Sequence, residues 1–157
     1  LVRLPTAGDA TVFHSIWGDP TVIWWGGTTR DEADAARQIA DIQKSNAASQ
    51  GLGRWLVFRR SDSACVGHIM LKRAPFADGV ELGYHFAAAH QGRGYATEAA
   101  RGAVRHGFEV LGLERIIAAV VPDNRASRRV LEKVGFAYAH DIVHADRPHE
   151  LWVMQRR

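Results

Sequence analysis

Apolar positions along the chain switch several times between helical spacing and strand-like runs, and the order of the switches predicts the elements. Residues 1–5, "LVRLP", read as a short opening strand. Asp9 stands where a cap would start a helix through about Trp17, and "GDP" at 18–20 ends it, because proline disfavours helix in the residue before it. Thr28 or Thr29 caps a second helix with Ala33, Ala36, Ile39, Ala40 and Gln43 at helical spacing, closing near Gly51. Residues 54–60 and 64–73, joined by Ser-Asp-Ser, read as an antiparallel hairpin, and 79–87 as a third consecutive strand.

A long helix is expected from about Arg93 to Leu111, with a stripe of mostly small residues: Ala96, Ala99, Ala100, Ala103, Val104 and Gly107, then Phe108 and Leu111. Residues 114–121, "ERIIAAVV", form a continuous apolar run, the mark of a strand buried on both faces and parallel to its neighbour. Asn124 caps a helix through about Val134. Gly135 supplies the left-handed residue after it, and Phe136 the apolar contact. "FAYAHDIVHAD" and "ELWVMQR" close the chain as a hairpin around "RPH". The order is that of an α+β fold with a mixed, mostly antiparallel sheet and about four helices.

Composition narrows the classes. A chain of 157 residues, 46% hydrophobic, holds one sizeable core, so residues 1–157 are read as a single domain. Its formal charge of +3 comes from scattered bases rather than a basic face, which argues for an anionic small molecule and against nucleic acid. Cys65 is the only cysteine, so no intramolecular disulfide forms, and the eight histidines show no metal-ligand spacing. No apolar run reaches membrane-spanning length and no signal pattern opens the chain, so the expected location is cytoplasmic. Leu1 already falls in a strand, and residues upstream of it are expected.

The stretch carrying candidate chemistry is "HQGRGYATEA", residues 90–99. A strand, a short loop with Gly92 and Gly94, then a helix is how backbone N–H groups and a positive helix end are presented to an anion, with Arg93 adding charge. The alternative is a turn in which the glycines serve conformation alone. A P-loop is excluded, since no Gly-Lys-Ser/Thr follows. The dinucleotide fingerprint fails at Thr97.

In this context the chain resembles the GNAT superfamily of acetyl-CoA-dependent N-acetyltransferases, in particular the branch that contains ribosomal-protein-alanine N-acetyltransferases. Gln91, Gly94 and Ala96 meet the pattern Gln/Arg-x-x-Gly-x-Gly/Ala, between "ELGYHF" and "YATEA". A second block, "PDNRASRRVLEKVGF" (122–136), carries the family's Asn-x-x-Ser in Asn124 and Ser127 and its Gly-Phe in Gly135 and Phe136. The resemblance implies a sheet splayed between its fourth and fifth strands, with pantetheine lying in the opening and pyrophosphate on the amides of Gln91, Gly92, Arg93, Gly94, Tyr95 and Ala96. It implies no metal. A backbone N–H between Tyr84 and Phe86 would polarise the thioester carbonyl, and the Asn124 side chain would cap its helix and touch pantetheine.

The resemblance also names candidate acids and bases. Glu81 stands near where some members place a proton-accepting glutamate, its alternative being a salt bridge. Many relatives carry another glutamate where this chain has Ala119, and a tyrosine acid where it has Leu131. Ser127 is the remaining candidate acid, its alternative being a role at the helix N-terminus, and Tyr138 is a weaker one. Trp24, Trp25 and His85 are the acceptor-binding candidates, with His144 behind them. Acetyl transfer by direct attack in a ternary complex is expected, to a protein N-terminus or to a small-molecule amine such as an antibiotic, polyamine or amino acid. The rival class is a non-catalytic acyl-CoA-binding module in which Ala119 and Leu131 mark lost catalysis. A monomer or a homodimer is expected.

Overall fold

The computed structural model describes residues 1–20 and 29–156. Thr28 and the two acceptor candidates Trp24 and Trp25 lie outside them. The described residues fall into two compact units, one made of 1–70 and 84–95, the other of 71–83 and 96–157.

In the first unit, β1 (Val2–Arg3) pairs antiparallel with β2 (Gly53–Phe58), Val2 opposite Val57. Helix α1 (Ala10–Trp17) follows a 3-10 turn at Ala7–Asp9. Asp9 holds the position before α1, as the sequence predicts, but its carboxylate does not cap that helix. It accepts two bonds from the Arg3 guanidinium at 2.7 Å each, with the Thr6 N–H at 2.7 Å and the Thr6 hydroxyl at 2.8 Å. Arg3, and the Thr6 donors after it, hold its carboxyl well below the usual carboxylate range.

Helix α2 (Glu32–Ala48) starts later than a threonine cap implies, and Thr29 does not cap it. Asp31 is the cap, its Oδ1 accepting the Asp34 N–H at 2.7 Å. The Thr29 hydroxyl is spent on His14 Nδ1, 2.8 Å away, and the residue is buried. At its other end α2 is fastened to β2 by Asn46, whose amide bonds both the N–H and the carbonyl of Arg54, at 2.9 and 3.0 Å. Phe13, Ile16, Trp17, Ala35, Ile39 and Leu56 form the core of this unit.

The central strands β3 (Cys65–Arg73) and β4 (Val80–Phe86) each contribute residues to both units. At Gly67 the two strands lie against each other with no room for a side chain. A Cβ there would lie 2.2 Å from the His85 carbonyl oxygen and 2.8 Å from Phe86 Cα, so no larger residue fits without displacing β4.

In the second unit, α3 (Tyr95–Arg105) begins two residues later than expected, because Gly92 and Gly94 have left-handed backbone, and it ends in a π-helical turn at 106–110. Gly107 in that turn lets it press on β5 (Arg115–Val120): a Cβ there would lie 2.7 Å from Ile116 Cδ1. Strand β5 runs parallel to β4, with Val80 opposite Ile116 and Glu81 opposite Ile117, and β7 (Arg147–Gln155) pairs antiparallel along its other edge. The continuous apolar run thus marks a strand with a neighbour on both sides. Helix α4 (Arg125–Val134) ends as the sequence predicts, with Gly135 at φ 110°.

The closing hairpin differs from expectation. "RPH" is not its loop but the start of β7. Strand β6 (Ala137–His144) turns through Ala145 and Asp146, at φ 50° and 58°, the two left-handed residues a tight two-residue hairpin needs. Pro148 is tolerated because it pairs with Val143 of β6 and lies past Glu150, where the β5 ladder ends. The seven strands form one open mixed sheet in the order β1-β2-β3-β4-β5-β7-β6, parallel between β4 and β5.

Candidate functional site

The glycine loop is built on the end of β4. Ala87 N–H bonds the Val66 carbonyl at 3.0 Å, a 3-10 turn covers Ala88–His90, and the Gln91 side chain turns back to donate to the Phe86 carbonyl at 3.1 Å. Gln91 thus braces the loop, while Phe86 is buried. Gly92 and Gly94 follow at φ 73° and 85°, and a Cβ at either position would meet nothing within 4 Å. The left-handed conformation calls for glycine, while the space above it is open. Arg93 is exposed between them.

Tyr95 opens α3, leaving the first amides of the helix without intrahelical partners. Its ring meets His90 edge-on at 6.4 Å. Arg59, ion-paired with Asp62, also interacts with Tyr95, and the two hold its guanidinium above the ordinary value. Arg59 carried no sequence signal beyond its place near the end of the run 54–60, read as a strand.

His85 is half-buried beside Trp17 and His68. Burial first, and the Arg54 charge second, push its imidazole down to about 4. His144 lies in the other unit, packed on Phe76 at 4.8 Å and His149 at 5.5 Å.

The proton-transfer candidates belong to the second unit. Glu81 is mostly buried, and its Oε2 lies 3.3 Å from Lys72 Nζ, so the salt bridge named as its alternative is present. Ser127 is the third residue of α4, and its N–H donates to Asn124 Oδ1 at 3.0 Å, so Asn124 caps the helix as predicted. One residue on, Arg128 Nε reaches Glu150 Oε2 at 3.3 Å, and that oxygen also accepts the Trp152 indole N–H at 3.0 Å. This buried carboxylate anchors α4 to β7, and local sequence gives no sign of it: only the chain's pairing places Glu150 opposite Val120. Ala119 pairs with Leu151, and Leu131 is fully buried. Tyr138 is half-exposed on β6, with its hydroxyl donating to Asp141 at 3.1 Å.

The first unit therefore holds His85, Phe86, Gln91, Gly92, Arg93, Gly94 and Tyr95, and the second Glu81, Ala96, Asn124 and Ser127. Among the described residues no three His, Cys, Asp or Glu side chains gather as metal ligands, and no helix is long and apolar enough to cross a membrane.

The acetyltransferase (GNAT) domain family matches residues 1–137. An uncharacterized N-acetyltransferase, YoaA of Bacillus subtilis, is 38% identical over 144 residues, covering 87% of this chain and 78% of that protein. Three solved structures share the fold. Ribosomal-protein-S5-alanine acetyltransferase from Vibrio fischeri superposes with a TM-score of 0.81 at 19% identity, over 98% of this chain and 91% of that one. Mycobacterium smegmatis RimJ in complex with CoA-disulfide gives 0.82 at 22%, over 98% and 80%. Spermidine N-acetyltransferase SpeG from Vibrio cholerae gives 0.74 at 16%, over 99% and 92%.

Proposed function

The chain belongs to the GNAT acetyltransferase family and is an acyltransferase, and from that premise we propose that it moves acetyl from acetyl-CoA to a primary amine, a protein N-terminus, by direct attack. The observation that carries this reading is the pair of left-handed glycines with nothing above them, directly before α3. A phosphate oxygen can approach the amides of Gln91 to Ala96 there, where any Cβ would intrude, and the helix end favours its charge. The residues present fit the group the family uses, and the scheme calls for no metal. Residues 1–157 act as one catalytic domain, since both units draw on β3 and β4.

In the proposed reaction the amine nitrogen attacks the thioester carbonyl, polarised by a backbone N–H near Phe86. The C–N bond forms and the C–S bond breaks. Glu81 takes the amine proton through water, and Ser127 relays a proton from solvent to the departing thiolate, its hydroxyl regaining one as it gives one. Lys72 would steady the Glu81 carboxylate between turnovers. Direct transfer is favoured over an acetyl-cysteine because burial pushes the Cys65 thiol up to about 11, leaving little thiolate at neutral pH. A cytoplasmic location completes the proposal.

Thiol release from acetyl-CoA over a panel of N-terminal peptides, polyamines and aminoglycosides tests it. Glu81→Gln should lower turnover about 10²–10⁴-fold, the usual worth of a positioned base, with acetyl-CoA affinity near wild type and partial recovery at high pH. Recovery is expected because the free amine then needs no base. Turnover within a few-fold of wild type, with chemistry rate-limiting, would leave Glu81 as Lys72's structural partner alone. Acetyl-CoA binding without thiol release from any amine would favour the binding-module alternative, for which Ala119 and Leu131 speak.

A further inference from the structure

The turn between β2 and β3, residues 59–64, is bonded more closely than a hairpin connection requires. The Arg59 N–H donates to the Ala64 carbonyl at 2.8 Å, and the Ser63 N–H donates back to the Arg59 carbonyl at 3.0 Å. Asp62 Oδ1 accepts the Ala64 N–H at 3.2 Å and Arg59 Nε at 2.8 Å, while its Oδ2 takes Arg59 Nη2. Ser63 stands at φ 57°, a left-handed conformation that is costly for a residue carrying a Cβ. Backbone, strain and carboxylate together fix one guanidinium.

Held in this fork, the Arg59 side chain is only 26% exposed, and it also bonds the side chain of Tyr95. A guanidinium carries more N–H donors than one carboxylate engages, so the fork leaves donors for a phenol oxygen. Tyr95 follows Gly94 and opens α3, so its place decides where the left-handed glycine stretch ends. Its ring meets His90, the residue before the loop, edge-on. Glycine loses more freedom on ordering than any other residue, and a stretch with two of them keeps its amides in place only if both ends are fixed. Gln91 fixes the beginning, on the Phe86 carbonyl. Arg59 fixes the end.

Resting on the proposed placement of the phosphates on this loop, we propose that Arg59 is a positioning residue for acetyl-CoA: gripped by Asp62, it holds Tyr95 and so keeps the amides of residues 91–95 arranged before the phosphates arrive. It acts through Tyr95 rather than as a phosphate ligand, since Asp62 already matches its charge. The gain is in affinity, because a loop ordered beforehand has less freedom to lose on binding.

The test is the calorimetric Kd for acetyl-CoA of the full chain carrying Arg59→Ala, Tyr95→Phe, both together, or Arg59→Lys. Each single alanine or phenylalanine variant should raise Kd by about tenfold, the scale of one hydrogen bond to a charged group. The double variant should raise it no further, because both changes remove the same contact. Arg59→Lys keeps the charge but cannot grip Asp62 and Tyr95 at once, so it should lose as much as Arg59→Ala. Tyr95→Phe retains the ring against His90 and keeps the test readable if Arg59→Ala loosens the turn. In the thiol-release assay the loss should fall on the KM for acetyl-CoA, with kcat at saturation within about twofold of wild type, a split that general loss of structure would not give. Losses that add in the double variant, a lysine variant that binds like wild type, a fall in kcat in place of the rise in KM, or an unchanged Kd in Arg59→Ala each overturn the inference while leaving acetyl transfer in place. A wild type that fails to bind acetyl-CoA overturns the proposed function, and the role of Arg59 with it.

Discussion

Helices α3 and α4 begin in opposite ways. Asn124 fills the position before α4, and its amide oxygen occupies the Ser127 N–H. Gly94 fills the equivalent position before α3 and has no side chain to offer. A capped helix start satisfies its own donors and contributes order, whereas an uncapped one keeps its donors for something else. The start of α1 is a third case, in which the residue in the cap position, Asp9, turns away to Arg3 and Thr6. Residue type alone does not separate a cap from a binding site. Whether the side chain is present, and where its acceptor goes, does.

The largest effect expected from breaking this contrast is at the open end. Gly94→Val puts a branched side chain into the space above the loop and strains a backbone at φ 85°. It should weaken acetyl-CoA binding by about a hundredfold, measured by calorimetry, an estimate combining blocked approach with left-handed strain of about 1–2 kcal/mol. Gly94→Asn is the sharper version, since asparagine tolerates the conformation and can cap α3 itself. It should keep the fold and still lose affinity. Normal binding in both would make the loop a turn and nothing more.

The second effect is an acid dependence at α1. The Asp9 carboxyl is depressed in the folded chain, so its contribution to stability is complete above the ordinary carboxylate pKa of 3.8 and is lost as pH falls below it. Asp9→Asn should lower the melting temperature at pH 7, and the gap to wild type should begin to narrow as pH falls through the ordinary carboxylate value and close only below the depressed folded value. A gap that stays constant down to the lowest pH at which the fold survives would mean that Asp9 contributes shape rather than charge. The smallest effect belongs to the closed end, where Asn124→Ala should cost about 1 kcal/mol in denaturant unfolding, the usual loss for an N-cap. A much larger loss would point to a role beyond the cap.

Range along the chain separates the features legible in the sequence from those that were not. The Gly-x-Gly stretch and the Asn124 to Gly135 block each state their geometry within a few residues; the second folded as expected, and the first did so with its helix starting two residues later, at Tyr95. The cap of α2 was misplaced because Thr29 is claimed by His14, fifteen residues earlier, a competition no local pattern contains. The closing turn was misplaced for want of glycine, since alanine and aspartate occupy a left-handed pair that asparagine or glycine usually announces. Glu150 and the stack of Trp17 on His68 were hidden for a related reason. Their residues come together only through strand pairing and α1 docking, and one buried histidine in a strand says nothing of the ring stacked on it.

Gly67 and the shared strands bear on how such a chain could be assembled at the ribosome. The polypeptide leaves the first unit at Met70 and re-enters it at Tyr84, and the intervening hairpin carries Leu71, Val80 and Leu82, all buried in the finished second unit. Once residue 95 has emerged, every piece of the first unit is available, but that hairpin must wait for β5, twenty residues further on. For that interval an apolar ribbon is held open by a half that is already complete, with the glycine at 67 setting its two strands too close for a bulkier residue to wedge between. No single cut separates the halves, and a fragment ending at residue 95 would be expected to aggregate through that ribbon rather than circulate as a small folded protein.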